Sequence, residues 1–279
     1  LLRQKRAVGD SGLHVPLIIR YPDGYRAGET ESRMVSLMDL GPTVLSLTGQ
    51  KPPTYMDGKA FAGPFEEAPR DYIYGSADRF DESTDMQRSV LDGRYVYIKN
   101  FMPQLPLIYR NKYREKIPMN KRLIELDAAG KLEGDAAYIF MKTKPLEELY
   151  DLKNDPYEVH NLANDPAHAE KLKLLRTKLS QWQAAIKDRG LTPESDIIRE
   201  FWPGMVQPVT ADVKIQLQNN TIVLSCLTEG ASIAYQLSDA IGTDYWQLYS
   251  KPFLLQPQEK ICARAIRIGY KASNITFKN

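Results

Sequence analysis

Four groups of side chains in this sequence have the types and spacing to do chemistry. Near the start, Lys5 and His14 flank a Gly9-Asp10-Ser11-Gly12 stretch. A lysine offers an anion a compact ammonium charge, and a histidine offers a ring that titrates near neutral pH. The run from Asp78 to Arg88, DRFDESTDMQR, sets Arg79 and Arg88 among Asp81, Glu82 and Asp85. On a loop, such a mixture could hydrogen-bond hydroxyls and pair with an acidic substituent. Asp151, Asp155 and Glu158 stand at a spacing that resembles metal ligands at first sight. Tyr245, Trp246 and Tyr249 offer large rigid faces of the kind that stack on sugar C–H surfaces, and core packing would use them equally well.

Something must hold these residues in place, and the chain is long enough to do so. Its 279 residues are 43% hydrophobic, which suggests about two domains at roughly 100 to 200 residues each. With 37 Lys and Arg against 35 Asp and Glu, the net charge is +2. That balance excludes general nucleic-acid or membrane-surface binding, so charge chemistry must be local. No apolar run approaches the roughly 20 residues of a transmembrane helix, and LLRQKRAVGD has no signal-peptide core. Cys226 and Cys262 are too few for a disulfide framework. Alternation turns Cys226 inward and Cys262 outward, so pairing is not expected.

The first stretch has an α/β pattern. HVPLIIRY (14–21) is an apolar run ending at Pro22-Asp23-Gly24, which predicts a buried strand and a turn. MDLGPTVLSL (38–47) predicts a helix with Asp39 and Pro42 near its start and Gly49 beyond its end. From about residue 70 the pattern becomes β, with strands at 72–76, 88–91, 94–99 and 148–152. Asp92-Gly93 is expected to form a type I′ turn. Between these strands, 108–143 is basic and tyrosine-rich, with a short helix over 120–129. Asp165 and Pro166 start a second helix whose Leu172, Leu175, Leu179, Trp182 and Ile186 form one stripe that should lie across the sheet. Beyond Trp202-Pro203-Gly204 the segments alternate with period two, as in a small β-sandwich.

The motifs also carry a family resemblance. Lys5 followed by Gly9, Asp10 and the VPLIIRYP run, then MVSLMDLGPTVLSLTG with Asp57-Gly58, then ELYDLKNDPYEVHNLA (148–163), resemble three ordered segments of the sulfatase family within the alkaline phosphatase superfamily. The 78–88 segment is similar to heparan N-sulfatase-like members. LSCLTEGASIAYQLSD with the EKICARAIRIGYKAS run resembles the small β-sandwich of chitobiases and hexosaminidases. The fold implied is α/β: 1–66 as the end of a sulfatase catalytic domain, 67–204 as an antiparallel four-stranded sheet with a packing helix, and 205–279 as an accessory sandwich. The resemblance makes Lys5 a sulfate-binding residue and allows His14 a place in the pocket. It puts Arg79, Asp81, Glu82 and Arg88 near the sugar, and it reads Asp151 to Asn161 as a structural corner held by Asp155, Glu158 and Asn161.

The family's formylglycine nucleophile arises from a C/S-x-P-x-R motif, which this sequence lacks. Calcium ligands are likewise expected outside the chain, in an amino-terminal half. The resemblance therefore implies a periplasmic or secreted hydrolase of sulfated, glycosaminoglycan-like sugars. This chain alone should be inactive, and it should expose apolar surface along 14–21 and 38–48. Two alternatives remain at this point: a non-catalytic carbohydrate-binding module, and a phosphoesterase or phosphonate hydrolase of the same superfamily.

Overall fold

The computed structural model describes residues 7–80, 83–107 and 112–278. The chain divides into two compact units, Leu1–Leu191 and Thr192–Asn279. In the first, α1 (Asp10–Leu13) and α2 (Leu40–Leu47) precede β1 (Ile73–Phe80), β2 (Ser83–Leu91) and β3 (Tyr95–Asn100). After these come α3 (Pro118–Ala128), α4 (Asp135–Tyr138), β4 (Glu147–Asp151) and α5 (Ala169–Ala185). The four strands form an antiparallel sheet in the order β1-β2-β3-β4.

Period-two alternation assigns the two faces of this sheet. Val90, Tyr97 and Leu149 point to one face, where Leu172, Leu175 and Leu179 of α5 cover them. Each fully buried leucine in that layer contributes about 1.5–3 kcal/mol. Trp182 extends the layer by stacking on Tyr74 at 4.8 Å, while Ile186 is 50% exposed and leaves the stripe predicted for it. The helix is also tied to the sheet by charge. Arg176 pairs with Glu147 at 2.8 Å, and Glu147 accepts from the Tyr97 hydroxyl. The opposite face holds Val8, Ala77, Val96, Ile98 and Tyr150.

Two expectations change here. The β2–β3 turn has positive φ only at Gly93 (88°), whereas a type I′ turn needs it at both central residues. Arg94 occupies the second central position, and its guanidinium is drawn instead to Asp151 at 2.9 Å. The predicted buried strand over 14–21 is not formed among the described residues. The run pairs with no strand, and Val15, Leu17, Ile18 and Ile19 are exposed, Ile18 at 92%. A central strand needs neighbours on both sides and layers on both faces, and no described segment supplies them. The exposed apolar surface expected along 14–21 and 38–48 is present, continuing through Leu37, Met38, Val44 and Leu47.

α2 starts as expected. A 3-10 turn, Leu37–Asp39, leads into it under a reciprocal Ser36–Asp39 capping box, and Asp39 also accepts from Lys59 N and from the Arg70 guanidinium. Burial pushes the Asp39 carboxyl up, but those donors together hold it below its ordinary range.

The second unit opens with α6 (Glu194–Phe201) and continues with β5 (Lys214–Gln218), β6 (Thr221–Ser225), β7 (Ser232–Leu237), β8 (Gln247–Leu248), β9 (Phe253–Leu254), β10 (Ile261–Ile266) and β11 (Thr276–Lys278). Two antiparallel sheets, β11-β10-β7-β8 and β5-β6-β9, share one core of Val213, Ile222, Leu224, Ile261, Ala263 and Ala265. Segment 192–204 groups with this unit, ahead of the sequence-based boundary at 205. Trp202 anchors it by donating from Nε1 to Gly269 O at 2.8 Å. Cys262, expected to face outward, is 1% exposed. Gln236 lies beside it on β7 and donates to Thr243 O and Tyr245 O, which draws that loop across the sheet's outer face. Among the described residues no helix is long and apolar enough to cross a membrane.

Candidate functional site

The segment that follows Lys5 is bound to a corner nearly 150 residues away. Asp155 Oδ2 accepts from Val159 N and His160 N at 2.8 Å, which tightens the chain and puts Glu158 at φ 56°. From there the Glu158 carboxylate reaches the start of α1. It accepts from Asp10 N at 2.9 Å, Ser11 N at 3.4 Å and Ser11 Oγ at 3.1 Å. A Cβ on Gly9 would collide with that carboxylate, so the contact requires glycine. Burial pushes the Glu158 carboxyl up, against the pull of the Asp10 and Ser11 donors. Asn161 completes the corner. Its Oδ1 accepts from Leu149 N and Ala163 N, and its Nδ2 donates to Glu147 O. The structural corner read from the sequence is therefore present.

Lys5 lies outside the described residues. The His14 side chain is 77% exposed, with Nδ1 3.3 Å from Asp10 Oδ2. Nothing described brings His14 into a pocket.

The Asp78–Arg88 cluster divides. What was read as a loop is the β1–β2 hairpin, with a register shift between Ala77 and Arg79. Arg79 is exposed on β1 near the tip. Asp81 and Glu82 lie outside the described residues. Arg88, expected at the sugar, is a correction: it is 2% exposed and saturated by acceptors. Its Nε and Nη2 clasp Asp188 at 2.8 Å, its Nη1 reaches Asp78 at 2.8 Å, and Gln87 O and Ala77 O take the rest. Arg88 shares a face with Val90 and so points beneath the end of α5. Asp188 is held well below the carboxylate range, chiefly by the Arg88 hydrogen bonds.

Sequence reasoning missed a second buried polar network, on the opposite face. Gln87 donates to Asn100, Asn100 donates to Glu148 and Pro145 O, and Tyr150 donates to Glu148. Alongside, the fully buried Lys144 ammonium meets Asp85. Burial raises the Glu148 carboxyl above its ordinary range, although Tyr150 and Asn100 oppose the shift. The signal was available in the alternation, since Glu148 shares a face with Tyr150, as Asn100 does with Ile98.

Asp151, Asp155 and Glu158 do not converge. Asp151 is held by Arg94, Lys153 N and Asn154, and each of the others has its own partners. Among the described residues no group of three or more His, Cys, Asp or Glu side chains could hold a metal ion. The three aromatics of the second unit do not make one platform. Tyr249 packs on Phe253 in the core, Trp246 lies under Arg264 at 5.6 Å, and Tyr245 is exposed.

A four-stranded antiparallel sheet backed by one helix, preceded by an unpartnered apolar segment, defines a mixed α/β subdomain built to sit against other structure. Residues 2–101 match the family described as N-sulphoglucosamine sulphohydrolase, C-terminal. Over 276 residues, 98% of this chain and 46% of the relative, the sequence is 42% identical to an ulvan-active sulfatase of Formosa agariphila. A second ulvan-active sulfatase of that organism is 33% identical over 66% of this chain and 36% of its own length. Human N-sulphoglucosamine sulphohydrolase is 26% identical over 71% of this chain and 42% of its own length. The chain belongs to the sulfatase family, where it corresponds to a carboxyl-terminal portion, and it spans less than half the length of these curated relatives.

Proposed function

We propose that this chain is part of a sulfatase that hydrolyses sulfate esters of a sulfated carbohydrate, and that the substrate is ulvan or a polysaccharide of that type. The match over 276 residues at 42% identity carries this reading, because it runs through both units and pairs them in the same order in an ulvan-active relative. Within the chain, Lys5 binds the sulfate. In that role a lysine ammonium meets the negative charge that builds on the sulfate and leaving-group oxygens, and so stabilises the transition state more than the ground state. Arg79 on β1, together with Asp81 and Glu82 of the same run of sequence, contacts the sugar. The second unit is an accessory module. We assign the calcium ion and the formylglycine nucleophile to residues outside this chain, and the protein to the periplasm or the cell exterior.

The test is sulfate release, read by ion chromatography, from ulvan oligosaccharides incubated with the full-length protein after formylglycine maturation. Sulfate release is expected, and Lys5→Ala should lower kcat/KM by about 10²- to 10³-fold. Cleavage of phosphodiesters or phosphonates with no sulfate released would overturn the assignment. Release from N-sulphoglucosamine but not from ulvan would move the substrate.

A further inference from the structure

We infer that the outer face of the β11-β10-β7-β8 sheet binds a sulfated polysaccharide, with Trp246 and Phe277 against the sugar rings and Arg264 on a sulfate group. The inference takes its ligand class from the proposed function.

Strand register assigns the residues of this face. Ile261, Ala263 and Ala265 of β10 point into the core of the second unit, so Cys262, Arg264 and Ile266 point out. Pairing carries the face to the neighbouring strands: Phe277 stands opposite Cys262, and Ala234 and Leu248 stand in line with Arg264. Trp246, just ahead of β8, joins them, because its ring lies under the Arg264 guanidinium at 5.6 Å. The solvated face of an antiparallel sheet is ordinarily polar. Here Phe277, Leu248 and Ile266 are each more than half exposed, and a grouped apolar surface of that kind marks a site of contact.

The charge on the face is matched to a sulfated sugar. Arg70, Arg88, Arg94 and Arg176 each pair with a carboxylate, whereas Arg264 pairs with none among the described residues. Lying on the indole, it keeps its N–H groups available, and a planar guanidinium can give two parallel hydrogen bonds to the oxygens of one anion. Trp246 is fixed by the loop ahead of it. Gln236 donates to Thr243 O and Tyr245 O and accepts from Gly242 N, which fastens that loop to the sheet. A half-buried indole on a fastened strand loses little freedom when a sugar stacks on it. Phe277 is on β11, at the opposite edge from β8, three strand spacings or about 14 Å away. That span suits several linked sugars better than one. A sulfated polymer presents anions among C–H surfaces, the complement of an available guanidinium among aromatic and aliphatic side chains.

The experiment follows migration of the full-length protein in affinity gels containing ulvan, chemically desulfated ulvan or no polymer, with Tm and size-exclusion profiles alongside. The variants are Trp246→Ala, Arg264→Gln and Phe277→Ala, with Leu227→Ala, exposed beyond β6 of the other sheet, as control. Trp246→Ala should weaken binding to ulvan by about 3- to 10-fold, Arg264→Gln by about 10-fold, and Phe277→Ala by less. Wild-type binding should fall as NaCl is raised, and Arg264→Gln should lose part of that dependence. Leu227→Ala should bind as the wild type does. Sulfate release from short oligosaccharides should be unchanged in all four variants.

Wild-type affinity in both Trp246→Ala and Arg264→Gln would overturn the inference, as would equal binding of ulvan and desulfated ulvan. So would a wild-type dimer that Phe277→Ala converts to monomer with ulvan binding unchanged, which would make the face a contact between copies. The enzymatic reading is scored separately. Ulvan binding that depends on Trp246 and Arg264 without any sulfate release would sink that reading and leave this one standing; sulfate release with variant-insensitive binding would do the reverse. Should Trp246→Ala lower Tm, Arg264→Gln and Phe277→Ala make the same comparison.

Discussion

The two faces of the four-stranded sheet are stabilised in different ways. Toward α5 the layer is aliphatic and aromatic, with Leu149, Leu175 and Leu179 almost fully buried, and charge enters at the rim, through Arg88 with Asp188 and Arg176 with Glu147. On the other face, Asn100, Glu148 and Lys144 are buried beside Val8, Ala77, Val96, Ile98 and Tyr150, so hydrogen bonding joins apolar burial in holding the layer. A layer of leucines tolerates change in proportion to the volume lost. A buried polar network depends on every member finding its partner. The second face is also the one crossed by Val8 and Leu13.

Perturbations of each face should follow that division. The largest effect is expected at the charged rim. Arg88→Leu strands the Asp188 carboxylate and should destabilise by about 3–5 kcal/mol in urea unfolding; a loss below about 1 kcal/mol would show that the clasp is incidental. Leu175→Ala, in the middle of the dry face, should cost about 3 kcal/mol, and partial recovery by Leu175→Met would show that volume is what counts. Asn161→Ala removes acceptors from Leu149 N and Ala163 N and the donor to Glu147 O. It should cost about 2 kcal/mol, with faster hydrogen exchange confined to β4.

The smallest effect, and the sharpest contrast, is in pH. Burial raises Glu148, the nearby Glu158 charge adds to the shift, and Tyr150, Asn100 and Lys144 act against it. The folded state therefore binds the Glu148 proton more tightly than the unfolded chain does. Its contribution is fully present below the ordinary carboxylate value of about 4.5 and declines as pH rises toward the folded value. Glu148→Gln, which cannot ionise, should lose less stability than the wild type as pH rises above about 4.5. Asp188 has the opposite sign. Its Arg88 contacts lower its pKa, so its stabilisation is present above the ordinary range and is lost on acidification. A Tm profile that moved the same way for Glu148→Gln and Asp188→Asn would erase the distinction.

The dry face was legible in the sequence because its signal is periodic. Leu172, Leu175 and Leu179 recur at helical spacing, and Val90, Tyr97 and Leu149 fall at alternating positions of their strands, so both elements and the way they pack follow from position alone. Asp165 was legible because its capping contact is local in sequence, whereas the Asp155 to Asn161 corner was read from the family resemblance and its Glu158 contact spans 148 residues. Arg88 was misread because an arginine among carboxylates looks the same in sequence whether it is solvated or clasped. The deciding partner, Asp188, lies 100 residues away. Lys144 with Asp85 was illegible for the same reason, whereas the inward turn of Glu148 and Asn100 could have been read from the alternation. The 14–21 run was read as a buried strand from apolarity, which sets what a strand would bury but not what is there to cover it. Cys262 shows the converse: a loop fastened by Gln236 covers a face that alternation alone leaves to solvent.

Asn161 has one further effect, on how the molecule meets its neighbours. β4 is an outer strand, and its outward-facing backbone groups at Glu147 and Leu149 would otherwise stand open to any extended chain. The Asn161 amide takes Leu149 N and Glu147 O, and Leu162 N takes Leu149 O. One side chain and one amide thus imitate a fifth strand just long enough to close that margin. Intermolecular β-pairing and the aggregation that follows from it are thereby blocked along β4, which is why a bulkier or shorter residue at 161 should lower soluble yield before it lowers activity.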